Sequence, residues 1–254
     1  MNPFTRAATA AATALALLST PAQALDLSNM SEAERDAFGE QVRAYLLENP
    51  ELILEAVDLL EQRQQQAEAA RDGTLVADNL EELQNDGYSW VGGNPDGDIT
   101  LVEFMDYRCG YCRRAAPEVA KLLESDGNIR LVIKEFPILG EASVLSSRFA
   151  VATKLVAGNE AYKQVHDALI AFGSEPNEVA LRRIADGLSL DGDAIFARMD
   201  SEEVTAELRQ TRALAQRMAI SGTPTFVLGN ELLRGFLPAD QMEIMVAEIR
   251  DQQS

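Results

Sequence analysis

Cys109 and Cys112 are the only two cysteines of the 254-residue chain, and Gly110 and Tyr111 separate them. Two thiols at this spacing can close into a disulfide and open again, the chemistry of electron exchange with other thiols. That exchange proceeds by attack of a thiolate on a sulfur, so one of the pair must ionise near neutral pH. Residues 99–105, directly before the pair, read as a strand, and residues 113–123, directly after it, read as a helix. Cys109 then stands at a helix N-terminus, where the dipole and free amide groups favour negative charge. Arg108, Arg113 and Arg114 add positive field in a chain of formal net charge −19. Cys109 is therefore expected to be the exposed nucleophile. Cys112, one turn further on, is expected to be the buried thiol that resolves a mixed disulfide.

Other chemistries use the same spacing. A zinc site normally needs four ligands, and no second cysteine pair exists. A copper(I) or other soft-metal site suits thiolates and stands as the alternative function. A static disulfide closing so short a loop gains little entropy. Redox enzyme ranks first, metal carrier second and inert staple third. No cofactor and no resident metal is expected.

Two more residues belong with the pair. Glu103 lies six residues before Cys109 inside an apolar strand, and by alternation it shares a face with Leu101 and Met105. A buried acid is costly unless it serves a purpose. Lys134, midway along the next strand candidate, is expected to neutralise Glu103. The single histidine, His166, lies in a helical pattern and reads as a surface or helix-packing residue.

The elements that position these residues follow in order. Turn-rich residues 86–98 bracket a short strand candidate, residues 88–91. A strand over residues 129–136 ends at Pro137. A long helical region, residues 141–219, breaks at Gly158-Asn159, Gly173-Ser174, Asp186-Gly187 and Asp191-Gly192. A hairpin follows, with Gly229-Asn230 as its turn, and then a last helix over residues 238–250. The first strand–helix–strand unit predicts parallel strands with a right-handed crossover. The acidic turns do not have the spacing of a twelve-residue calcium loop.

The N-terminal quarter has a different character. Arg6, the apolar run of residues 7–18 and Ala22-Gln23-Ala24 match a secretory signal peptide cleaved after Ala24, predicting export to the periplasm. Ser31 and Glu34 form a capping-box start. Phe38, Val42 and Tyr45, then Ile53, Val57 and Leu60, recur at helical spacing. Residues 61–71 are polar helix formers with little to bury. An apolar face on a polar spacer predicts self-association through residues 31–72. The negative charge argues against nucleic acid and anionic membrane as partners.

The Cys109-Gly110-Tyr111-Cys112 motif at the first helix and Gly222-Thr223-Pro224-Thr225 before the hairpin occur in an order that resembles the thioredoxin fold. More narrowly, the chain from Tyr88 onward resembles the DsbA family of thiol-disulfide oxidoreductases. The resemblance implies an α/β thioredoxin fold with a helical domain inserted at about residues 140–219, preceded by an N-terminal helical stalk. Residues 25–75 form the oligomerisation segment and linker, and residues 76–254 the catalytic domain. The stalk is similar to that of longer members such as the suppressor-of-copper-sensitivity C proteins. Gly110-Tyr111 is similar to the dipeptide of the disulfide isomerase DsbC, whereas DsbA itself carries Pro-His, which leans the reading toward isomerase or reductase and leaves oxidase open. The family also implies a cis Pro224 facing the cysteines, a Thr223 that presents its backbone to the substrate chain, and a Glu103 that assists proton transfer at Cys112. It implies protein substrates with thiols or disulfides and a membrane redox partner.

Overall fold

The computed structural model describes residues 29–253. The expected export segment, residues 1–24, lies outside them. The chain forms two compact units, divided between Leu60 and Glu61.

The first unit begins with helix α1, Glu32–Glu48. The Glu34 amide donates to Ser31 Oγ at 3.4 Å and the Ser31 amide to Glu34 Oε2 at 2.8 Å, so two otherwise unpaired donors are satisfied at the helix start. Asn49 ends α1, its backbone N–H bonding the Tyr45 carbonyl. Pro50 separates it from α2, which starts at Glu51. Phe38, Val42, Tyr45, Ile53, Leu54 and Leu60 are all exposed. The apolar face of this unit is thus exposed.

The second unit begins within α2, which runs to Asp78. Residues 61–71 are exposed, as their polar composition dictates, and Asp72, Gly73 and Val76 are buried. Asp72 takes both nitrogens of the Arg234 fork, at 2.6 and 2.9 Å. After α3, Leu80–Gln84, come β1, Trp90–Gly93, and β2, Ile99–Met105. Helix α4, Gly110–Asp126, crosses to β3, Ile129–Glu135, which lies parallel to β2. The helical insertion comprises α5, Glu141–Ala171, interrupted at Gly158 (φ 87°), then α6, Glu178–Gly187, α7, Gly192–Arg198, and α8, Glu202–Arg217. Strands β4, Thr225–Leu228, and β5, Glu231–Arg234, form the hairpin, and α9, Ala239–Gln253, closes the unit. The sheet order is β1-β3-β2-β4-β5, with every pair antiparallel except β2 with β3. No helix among the described residues is long and apolar enough to cross a membrane.

Strand β2 is central and covered on both faces, which explains its nearly unbroken apolar run. Leu101, Met105, Leu131 and Ile133 face one core, shared with Cys112 and Val119 of α4, Phe149 of α5 and Met242 of α9. Val102, Phe104 and Val132 face the other, shared with Leu214 of α8 and with Met218, the residue that caps its C-terminus.

Lys134 does not neutralise Glu103. Across the parallel ladder Glu103 pairs with Ile133, and Lys134 pairs with Phe104. A step of one residue along a strand moves a side chain to the opposite face. Lys134 therefore lies on the far side of the sheet from the cysteines. Its Nζ donates to the Glu82 carbonyl at 2.8 Å and forms a buried ion pair with Asp86.

Candidate active site

The loop between β2 and α4 is held by Asp106, which is fully buried. Its carboxylate accepts from the backbone N–H groups of Arg108 (2.8 Å), Ile138 (2.8 Å) and Leu139 (3.0 Å). Its carbonyl accepts from the Cys109 amide at 3.0 Å. Charge-assisted bonds of this kind are among the stronger ones in proteins, and they fix where α4 begins. Arg113 Nε donates to the Tyr107 carbonyl at 3.1 Å, bracing the same loop from the helix side.

Cys109 is the N-cap of α4, and its side chain makes no capping bond. The first amides of the helix have no intrahelical acceptor and are available to a negative sulfur. The expectation of an exposed Cys109 needs correction: the residue is 7% exposed. The Thr223–Pro224 loop lies over it, and Cys109 Sγ donates to the Thr223 carbonyl at 3.1 Å. The peptide bond between Thr223 and Pro224 is cis.

Cys112 is wholly buried. Burial first, and then the charges of Glu103 and Cys109, push its thiol well above the ordinary range, while the Asp106 backbone and the Thr223 side chain pull it down. Both cysteines are free thiols. Glu103 is buried on the cysteine face, and burial, aided by the nearby Glu135 charge, pushes its carboxyl up to about 8. A small cavity of about 70 Å³ lies beside Glu103, lined also by Val119, Ile133, His166 and Asp167. His166 is a helix-packing residue of α5, and burial holds its imidazole down at about 4.

A groove of about 320 Å³ adjoins the pair, lined by Tyr111, Thr223, Pro224, Arg234 and Phe236 among others. Tyr111 is 56% exposed. The Arg114 guanidinium sits 4.4 Å from the Tyr111 ring centre and 5.5 Å from that of Phe236, a cation held between two aromatic faces. A Cβ on Gly110 would meet nothing within 4 Å, so packing does not require glycine there.

The structure thus brings Cys109, Gly110, Tyr111, Cys112, Glu103, Thr223 and Pro224 into one region and leaves Lys134 outside it. Sequence reasoning missed Asp106. An Asp just after a strand and before a turn hints at a local bond to the backbone two residues on. Its larger role, tying down residues 138–139, has no local signal. Among the described residues no group of three or more His, Cys, Asp or Glu side chains is arranged to hold a metal ion. The arrangement is that of a shielded dithiol, with an acid behind it and an apolar-walled groove before it.

Comparison with known proteins agrees with this geometry. Residues 34–67 match the copper resistance protein ScsC N-terminal domain. A thioredoxin-like oxidoreductase from Silicibacter pomeroyi DSS-3 is 42% identical, with a TM-score of 0.63, over 67% of this chain and 97% of that one. Proteus mirabilis ScsC in a transitional conformation is 25% identical, with a TM-score of 0.65, over 88% of this chain and 100% of that one. The Na(+)/H(+) antiporter NhaA 3 of Salinispora tropica is 30% identical over 145 residues, 57% of this chain and 22% of that protein. The chain thus spans about a fifth of the length of the curated relatives it first matches. Residues 100–250, more than half the chain, match the DSBA-like thioredoxin domain and hold both cysteines, Glu103 and the Thr223–Pro224 loop, so the chain belongs to the DsbA-like thioredoxin domain family.

Proposed function

We propose that the chain is a thiol-disulfide oxidoreductase that exchanges disulfides with protein substrates through Cys109 and Cys112, leaning toward isomerase or reductase. The placement of Cys109 at the head of α4, with the fully buried Cys112 behind it, carries this reading. Cys109 as thiolate attacks a substrate disulfide. One substrate sulfur leaves as thiolate, and the other is bound to Cys109. Cys112 then loses its proton to Glu103 and attacks Cys109 Sγ. The Cys109–Cys112 disulfide forms, the second substrate thiolate leaves and takes a proton from water, and the substrate has gained the two electrons the protein lost. Thr223 offers its backbone to the substrate chain along the groove, and Pro224, Gly110 and Tyr111 line the approach.

The working place is the periplasm, reached through the leader read in residues 1–24, and a membrane protein restores the redox state of the pair. Copies associate through residues 31–72, whose large apolar side chains from Phe38 to Leu60 are exposed. Association gathers several exchange sites around a shared space, suiting a catalyst that must hold and reshuffle a misfolded chain. The test is refolding of a scrambled multi-disulfide substrate by the mature chain and by a version lacking residues 25–60. The cut stops before Asp72 so that its ion pair with Arg234 survives. The shortened protein is expected to lose association and most isomerase activity while still reducing insulin. Equal isomerase activity in both would remove the stalk from the account.

A further inference from the structure

A third buried acid, besides Glu103 and Asp106, lies on the cysteine side of the sheet. Glu135 ends β3, is 3% exposed, and pairs in register with Met105. Alternation along β2 and β3 therefore puts Glu103, Met105, Ile133 and Glu135 on one face. Three hydroxyls close around the Glu135 carboxylate. Tyr107 and Tyr162 each donate to Oε1 at 2.6 Å, and Ser147 donates to Oε2 at 2.7 Å. Tyr107 stands two residues before Cys109. Its hydroxyl proton goes to Glu135, so the contact at 3.2 Å with His166 Nδ1 is one in which the ring N–H donates to Tyr107.

All three donors to Glu135 are neutral, so they solvate its charge without cancelling it. The charged groups on the elements around it are engaged elsewhere. Lys154 of α5 pairs with Glu207 of α8 at 2.6 Å, and Lys163 pairs with Asp167 at 2.5 Å. His166 is held neutral by burial. The acids that feel or oppose its charge are Glu103 of β2, which the Glu135 charge raises, and Glu207 of α8, which raises Glu135 in turn. Burial pushes Glu135 up to about 7 against the pull of the three hydroxyls.

We propose that Glu135 is a positioning residue for the exchange reaction: its caged carboxylate, on the same sheet face as the buried Glu103, opposes a second charge there and so governs whether Glu103 gives a proton to Cys112 or takes one from it. The proposal rests on the exchange reading given above. When a thiolate opens the Cys109–Cys112 disulfide by attacking Cys109, the Cys112 thiolate leaves and takes the proton of Glu103, and a second thiolate then attacks its partner's sulfur in the mixed disulfide and frees Cys109. The reverse step, proton from Cys112 to Glu103 and attack on the mixed disulfide, is slowed at neutral pH. The site is thereby biased to stay open, which suits isomerisation, in which no net oxidation of the pair occurs.

The test is stopped-flow reaction of the reduced full-length protein with an aromatic disulfide whose leaving thiolate is coloured. The first release reports attack by Cys109 and the second reports resolution by Cys112. In the native protein the second release is expected to rise with pH around a midpoint near 8, where Glu103 titrates. In Glu135→Gln that midpoint is expected to fall by about one pH unit, with the first release unchanged. Ser147→Ala, which removes one donor and leaves Glu135 easier to protonate, is expected to move it the same way by less. This second variant serves if the first does not fold. A folded variant of either kind with the native midpoint would overturn the proposal. Absence of the first release from the native protein would instead fault the exchange reading itself.

Discussion

Cys109→Ser is expected to abolish insulin reduction and scrambled-substrate refolding, with a loss of roughly a thousandfold or more, while the protein still folds. The serine hydroxyl does not ionise near neutral pH and cannot attack a disulfide to give an exchangeable bond. No other thiol can take over, because Cys112 is wholly buried and burial disfavours its charged form. The exchange of one sulfur for one oxygen leaves the apolar surroundings nearly unchanged, so the thermal midpoint is expected to stay within a few degrees of native. Activity assays beside a thermal melt check both parts. Retention of even a tenth of the native rate would show that Cys109 is not the nucleophile.

Cys112→Ser should behave in the opposite way, accumulating product rather than losing reaction. Cys109 still attacks, but nothing resolves the mixed disulfide, so the covalent complex persists. Its breakdown is expected to slow by about two orders of magnitude or more. Non-reducing electrophoresis and intact mass after mixing with an oxidised protein substrate read this directly. The complex should collapse on adding a small thiol. The cover over Cys109 sharpens the expectation. The Thr223 carbonyl now accepts from the Cys109 thiol at 3.1 Å, and a substrate strand running along the same groove would have to take that place. Substrates with an extended, accessible disulfide should therefore be trapped in preference to compact ones. Free turnover by Cys112→Ser, with no trapped species, would contradict the two-thiol mechanism.

What was legible in the sequence follows from how local each signal is. The cysteine pair, its flanking strand and helix, the breaks of the helical insertion at Gly158 and Asp191, and the hairpin turn at Gly229 are each written in a few adjacent residues. Asp191 caps α7 and Gly229 takes a positive φ of 60°, both for reasons a short window contains. Register between strands is not local. Position along the two strands suggests Lys134 for Glu103, but the ladder sets Ile133 opposite Glu103, and one residue further along the strand the lysine points to the other face. Glu135 gives no local sign of burial, because an acid near a strand end and before Pro137 has the pattern of an exposed terminus. Its burial depends on Tyr107, Ser147 and Tyr162, which two separate parts of the chain supply. The cover on Cys109 comes from Thr223, 114 residues away in sequence, and no window around the cysteines contains it.

The central claim is that the two sulfurs differ in kind, one at the head of α4 beside the groove and one closed off in the core. Brief alkylation of the reduced protein at mildly acidic pH, followed by peptide mass mapping, measures this difference most directly. The account predicts label on Cys109 with Cys112 unmodified until the protein is unfolded. Label on Cys112 first, or on both at equal rates, would contradict it.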